Sequence, residues 1–201
     1  MNIAVFVSGN GSNLQALIDA EKQGHLGSGR LALVVSDKPG AYALKRAEKQ
    51  GIRTFVLERT GFKSREEYDR AVDAELEKDK IELVVLAGFL RILSDFFVDK
   101  YAGRLLNVHP ALLPSFKGLH GVKDAFEHGV KITGVTVHFV SRELDSGPVI
   151  FQKSVKVQEK DTPESLEKKI HRVEHKLYPE AVRLFTEGKI VIEGRKVRIL
   201  G

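Results

Sequence analysis

The chain has no cysteine and no tryptophan, and only one methionine, among 201 residues. Without cysteine there is no disulfide, no thiolate nucleophile and no zinc site built on sulfur. Basic blocks longer than two or three residues are missing, and none alternates Lys or Arg with aromatics as a nucleic-acid surface does. No run approaches the roughly 18 apolar residues of a membrane span. The chain enters an apolar, strand-like run at Ile3 at once, with no basic leader or cleavage signal before it. These absences predict a cytoplasmic protein with small-molecule ligands, no nucleic acid and no membrane partner.

What is present is ordinary for a globular enzyme or binding protein, with 42% hydrophobic and 29% charged residues. The formal charge of +5 is dispersed, which suits anionic small molecules. The length allows one substantial core, or two small lobes sharing a sheet.

Apolar runs alternate with amphipathic segments from the start, the βαβ pattern of a parallel sheet. Strands are predicted at Ile3–Val7, Leu31–Val35, Thr54–Leu57, Leu83–Ala87 and Leu105–Val108. Helices are predicted at Leu14–Lys22, Ala41–Gln50 and Arg65–Lys78, the last with Ser64 and Glu67 at capping-box spacing. A short helix should follow Ser94. Beyond Pro110 the pattern changes to a loop (Ala111–His120), a short helix near Val122–His128, and strands at Ile132–Val140 and Pro148–Val157. Thr162-Pro163 reads as the cap and first turn of a long helix, which Pro179 should kink or break. Ile190–Leu200 reads as a hairpin around Glu193-Gly194. The fold class is α/β: one domain over 1–201 with a Rossmann-like, open, mostly parallel twisted sheet. Helices lie on both faces, and an antiparallel strand falls in the C-terminal half.

One stretch organises the chemistry. In Leu105-Leu106-Asn107-Val108-His109-Pro110, strand alternation puts Asn107 and His109 on one face. Pro110 ends the ladder, so an amide and an imidazole stand at a strand's carboxyl end, where ligands bind in open α/β sheets. Taken alone, the same pattern describes a strand terminus with two hydrogen-bonded polar residues.

Three further stretches carry polar chemistry. Ser8-Gly9-Asn10-Gly11-Ser12-Asn13 joins the first strand to a helix and suits phosphate, through close backbone approach and free amides at a helix start. A P-loop is excluded because no Gly-Lys-Ser/Thr follows. A dinucleotide fingerprint fails at Leu14, where its third glycine belongs, although Asp37 could mimic the ribose-binding acid. That leaves a phosphate site without a full dinucleotide, or a plain strand-to-helix turn. His171-Arg172-Val173-Glu174-His175 matches the H-x-x-E-H spacing of a zinc peptidase, but no acidic ligand follows on an apolar helix, so no metal is expected. Asp145, in Leu144-Asp145-Ser146-Gly147-Pro148, is either turn chemistry or a partner of His109. Spacing does not decide between them.

Together, Ser8–Asn13, Ala87-Gly88-Phe89-Leu90-Arg91-Ile92-Leu93, Asn107–Pro114 and Asp145–Pro148 resemble the phosphoribosylglycinamide formyltransferases, over Met1 to about Gly188. The sequence departs at Ala111, where serine is common, and at His171, where some members carry glutamine. The resemblance implies the formyltransferase fold, with a phosphate-binding half (1–100), a folate-binding and catalytic half (101–188) and a terminal hairpin (189–201). It implies formyl transfer from 10-formyltetrahydrofolate to the amine of 5′-phosphoribosylglycinamide, in purine (IMP) biosynthesis. The catalytic set implied is Asn107, His109 and Asp145. Asn107 and the His109 imidazolium would stabilise the oxyanion, and Asp145 would raise the pKa of His109. Gly11, Ser12 and Asn13 would take the ribonucleotide phosphate. Glu174 would hold the ribose, with His171, Arg172 and Val173 nearby. Folate would meet Leu90, Arg91, Ile92 and Leu93, Asn107, the loop Ser141, Arg142, Glu143, Leu144 and Asp145, and, through its carboxylate tail, Arg65. Formyltetrahydrofolate serves as co-substrate and no metal is needed; a monomer or weak homodimer is expected.

Three alternatives remain. A formyltetrahydrofolate hydrolase shares the catalytic set but carries an additional N-terminal domain. Methionyl-tRNA formyltransferase also shares it, and carries a C-terminal nucleic-acid-binding domain for which this chain has no room. A non-catalytic phosphate- or nucleotide-binding module would not require Asn107, His109 and Asp145 to act together.

Overall fold

A computed structural model describes residues 1–201, and its layering follows from the first strand. β1 (Asn2–Val7) is apolar on both faces: Ile3, Val5 and Val7 enter one core, Ala4 and Phe6 another. A strand buried on both sides requires cover on both sides. α1 (Ser12–Lys22), α2 (Tyr42–Glu48) and α6 (Pro163–Thr186) supply the first core with Leu14, Leu17, Leu44, Ile170, Tyr178 and Val182. α3 (Arg65–Lys78) and α4 (Asp95–Lys100) close the second with Tyr68, Val72, Leu76 and Phe97.

The sheet has seven strands. β1, β2 (Arg30–Ser36), β3 (Arg53–Val56), β4 (Leu83–Leu86) and β5 (Leu105–His109) pair in parallel. β6 (Ile132–Phe139) is antiparallel to β5 and to β7 (Val149–Lys156), so β6 alone runs against the rest. The order is β3-β2-β1-β4-β5-β6-β7. The chain builds outward from β1 on one side and then resumes at β4 on the other, which opens a crevice between the carboxyl ends of β1 and β4. α5 (Gly121–Glu127) lies between β5 and β6 in the chain, and a separate hairpin, β8 (Ile190–Glu193) with β9 (Lys196–Ile199), ends it.

Fold class and element order follow the sequence expectation, with bounds shifted by no more than two residues and those of α3 unchanged. Pro179 does not break α6, which continues through it to Thr186. A ring there removes one helical N–H and costs roughly 3 kcal/mol. Against this, Tyr178, Ala181, Val182 and Leu184 are all buried, and the Tyr178 hydroxyl lies 2.9 Å from the Leu86 carbonyl and 3.0 Å from that of Leu106. Tertiary packing on both sides of the proline outweighs the missing bond.

Candidate active site

The end of β5 is fixed by its pairing with β6. Asn107 lies opposite His138 and His109 opposite Thr136, so four polar side chains alternate with apolar ones in two facing strands. Thr136 ties down the loop after β5, donating to the Ala111 carbonyl (2.7 Å) and accepting from the Leu113 amide (3.0 Å). His138 Nδ1 lies 2.8 Å from the carbonyl of Phe139, which can only accept, so this nitrogen carries the proton. Nε2 is then the acceptor for Asn107 Nδ2 at 3.2 Å. Burial holds His138 below the ordinary imidazole range, although the Phe139 carbonyl and the Asp145 charge act in the other direction. A neutral His138 thus orients the Asn107 amide and leaves its second hydrogen for a ligand.

His109 is 3% exposed, and acceptors face both of its nitrogens. Nε2 lies 2.7 Å from the Phe116 carbonyl, and Nδ1 is 3.5 Å from Asp145 Oδ2. The Phe116 carbonyl can only accept, so Nε2 carries a proton, and the Asp145 carboxylate faces the other nitrogen. Asp145 reaches this place from the β6–β7 loop with φ 49°, a left-handed conformation that aspartate tolerates better than most residues. Its Oδ2 also accepts the Gly118 amide at 2.8 Å, and its Oδ1 is 3.7 Å from His138 Nε2. The carboxylate therefore ties the loop after β5 to the face of His109 and stands close to His138 without a hydrogen bond to it. Gly147 closes the Asp145 loop, and a Cβ there would stand 1.8 Å from the Phe139 carbonyl oxygen.

On the other side of the crevice, Ser8 ends β1. Its amide donates to the Gly88 carbonyl (3.0 Å), its hydroxyl donates to Asp37 (2.6 Å), and the hydroxyl oxygen accepts from the Leu90 amide (2.9 Å). Asp37 is therefore engaged in holding the loop and does not act as a free ribose acid. Gly11 is left-handed (φ 75°) at the start of α1, and no side chain caps that helix. A Cβ on Gly11 would lie 2.5 Å from that of Ala43. Asn13 Nδ2 donates to Glu174 Oε2 at 2.9 Å, while Asn13 Oδ1 is buried without a partner. Burial raises the Glu174 carboxyl above its ordinary range, and the Asn13 bond only partly offsets this.

A cavity of about 440 Å³ joins the two sides. Of the residues singled out in the sequence, Asn13, Leu90, Arg91, Ile92, Leu93, Asn107, His109, Ser141, Arg142, Leu144, Asp145, His171 and Glu174 line it. Gly11, Ser12, Arg65, Glu143, Arg172 and Val173 do not. Arg65 is exposed at the start of α3, and Arg142 also holds Asp99. The H-x-x-E-H helix does not converge on a metal geometry: Glu174 is turned to Asn13, and the two imidazoles stack with centroids 6.0 Å apart. No group of three or more His, Asp or Glu is arranged to hold a metal ion. His138, the Phe116 carbonyl and the Ser8 bridge were not singled out from sequence. A signal for His138 exists in Thr136-Val137-His138, polar residues spaced by two inside an apolar strand.

Residues 1–182 match the family described as formyl transferase. The phosphoribosylglycinamide formyltransferase of Escherichia coli (strain K12) is 47% identical over 190 residues, covering 94% of this chain and 89% of that protein. The trifunctional purine biosynthetic protein adenosine-3 of Gallus gallus is 45% identical over 192 residues; the match covers 96% of this chain but only 19% of that longer protein. The crystal structure of glycinamide ribonucleotide transformylase 1 from Symbiobacterium toebii superposes with a TM-score of 0.97 at 45% identity, covering 100% of this chain and 94% of that one. With that likeness over nearly its whole length, the chain belongs to the formyl transferase family, among the phosphoribosylglycinamide formyltransferases.

Proposed function

We propose that this chain, acting as one domain over 1–201, transfers the formyl group of 10-formyltetrahydrofolate to the amine of 5′-phosphoribosylglycinamide. The observation that carries the reading is the convergence of Asn107, His109 and Asp145 at one end of a cavity that both halves line. Leu90, Ile92, Leu93 and Leu144 offer apolar walls to a flat pterin. Glu174 and Asn13 face the same cavity from the other side and suit ribose hydroxyls and phosphate, which meets the start of α1 at Gly11, Ser12 and Asn13. Arg65, Glu143, Arg172 and Val173 lie outside the cavity wall and would meet only the outer parts of the two substrates.

The amine attacks the formyl carbon, forming a carbon–nitrogen bond and placing negative charge on the formyl oxygen. Asn107 Nδ2 and His109 Nε2 are the donors for that oxygen, and one such donor is typically worth about 10²–10³-fold in rate. Asp145 faces His109 Nδ1, orients the ring and stabilises positive charge on it in the transition state. As the carbon–nitrogen bond to folate breaks, the proton of the attacking amine passes to the departing nitrogen, with His109 or an adjacent water as relay. Neither a covalent intermediate nor a metal enters this scheme.

The test is a spectroscopic deformylation assay with 10-formyltetrahydrofolate, with and without phosphoribosylglycinamide. Turnover should depend strictly on the ribonucleotide. Rapid turnover with water alone would make the chain a hydrolase, and transfer to methionyl-tRNA would overturn the acceptor.

A further inference from the structure

Outside the cavity, α2 turns its first residues toward the Gly9–Gly11 loop. The Ala43 amide donates to the Gly9 carbonyl at 3.1 Å, and one turn later Arg46 reaches the same loop. Its Nε donates to the Asn10 carbonyl (2.9 Å), one terminal nitrogen to Asn10 Oδ1 (2.7 Å) and the other to Gln15 Oε1 (3.1 Å). Every acceptor is neutral, and no carboxylate lies within ion-pair distance. Asp19 is linked to it only through an amide: Gln15 accepts from Arg46 and donates to Asp19 (2.9 Å). Arg46 also faces a groove of about 770 Å³ that runs from Ser12 past His175 and Lys176. In it, Glu180 is already paired with Arg183. His175 Nε2 is buried without a partner, and burial, His171 and Arg46 together hold that ring below its ordinary range. The half-buried guanidinium thus grips the loop beside the uncapped start of α1, with the Tyr42 ring 4.9 Å from its carbon and no carboxylate to neutralise it.

We propose that Arg46 is a positioning and specificity-determining residue for the ribonucleotide phosphate. Three of its five N–H donors, one on each nitrogen, are held by Asn10 and Gln15, so the guanidinium is fixed to the loop and acts through the loop geometry and through its field. A phosphate dianion at the α1 amides supplies the missing negative charge, whereas the same molecule without phosphate does not. This rests on the ribonucleotide being the acceptor.

The experiment compares Arg46→Gln and Arg46→Lys with the wild type, using phosphoribosylglycinamide and its phosphate-free riboside. Calorimetric affinity and formyl transfer are both measured. In Arg46→Gln the KM and Kd for the ribonucleotide should rise about tenfold or more, with kcat and the folate KM within twofold. Riboside affinity should hardly change, and the salt dependence of ribonucleotide binding should weaken. Arg46→Lys, which keeps the charge, should recover most of the affinity. Equal losses for ribonucleotide and riboside, a lysine variant as weak as the glutamine variant, or no loss at all would each overturn the proposal. If wild-type protein binds neither compound, the acceptor assignment falls with it. If wild-type transfer is normal and Arg46→Gln binds as tightly, only the role of Arg46 falls.

Discussion

Replacing Asp145 by asparagine isolates one charge in this site. In Asp145→Asn an amide oxygen at the Oδ2 position still accepts the Gly118 amide, and the new NH₂ faces His138 Nε2, itself an acceptor. The loop therefore keeps its hydrogen bonds, and stability should change by no more than about 1 kcal/mol. What disappears is a carboxylate 3.5 Å from His109 Nδ1, between side chains 7% and 3% exposed. At an effective dielectric of about 20, unit charges at that distance interact by about 5 kcal/mol, which is a ceiling on the loss. Part of that interaction is already present before the formyl oxygen becomes charged, so kcat should fall about 10²–10³-fold. Both substrate KM values should stay within about threefold, since the lost interaction acts mainly in the transition state. Steady-state kinetics and a thermal melt on the same sample give the answer. Combining Asp145→Asn with His109→Asn should add little to the His109 single variant, because the two act as a unit. A folded Asp145→Asn with near-wild-type kcat would refute the reasoning, as would a loss confined to KM.

His138→Phe should lower kcat about 10–100-fold at unchanged ribonucleotide KM, because the Asn107 amide loses its acceptor. The buried ring of His138 is held below its ordinary range, so the unfolded chain binds the proton more readily. Wild-type stability should therefore fall as pH drops below about 6.5, less steeply in the variant, as read by denaturant melts. Glu174→Gln works in the opposite sense: the raised carboxyl makes the folded chain the tighter proton binder, so its contribution is present in acid and lost as pH rises through the raised value. The variant should be more stable at neutral pH, and its ribonucleotide KM should rise about tenfold. Gly11→Ala puts a Cβ 2.5 Å from that of Ala43 in a left-handed residue, which should destabilise by about 1–3 kcal/mol. By titration calorimetry it should weaken ribonucleotide binding and leave folate binding intact.

Local pattern made the fold legible wherever one element decides its own state. The two-sided apolar runs around Val5 and Val85 announce a covered parallel sheet, and Ser64 and Thr162 mark helix starts where α3 and α6 begin. No break occurs at Pro179, because propensity is a local quantity whereas the burial of Tyr178 and Val182 is not. Within the site, period-two spacing placed Asn107 and His109 together, but nothing local brings Asp145 within reach of His109, since that contact is made by loop closure over Gly147. Family resemblance supplied the pairing. It did not supply the Phe116 carbonyl or the Ser8 hydroxyl's grip on Leu90, because backbone groups and small hydroxyls leave no distinctive mark in a sequence.

The Phe116 carbonyl has a consequence for how binding energy is distributed. In the proposed reaction the formyl oxygen takes the place of that carbonyl on His109 Nε2. One neutral acyl oxygen displaces another, so the exchange adds little to the affinity for the folate. Once the carbon becomes tetrahedral and its oxygen anionic, the acceptor of that hydrogen bond carries charge as well, and the bond shortens and strengthens. The loop thus sets a zero point level with the ground state, and the imidazole rewards only what lies beyond it. An imidazole left unoccupied at rest would hold the formyl donor more tightly, lowering KM with no gain in kcat.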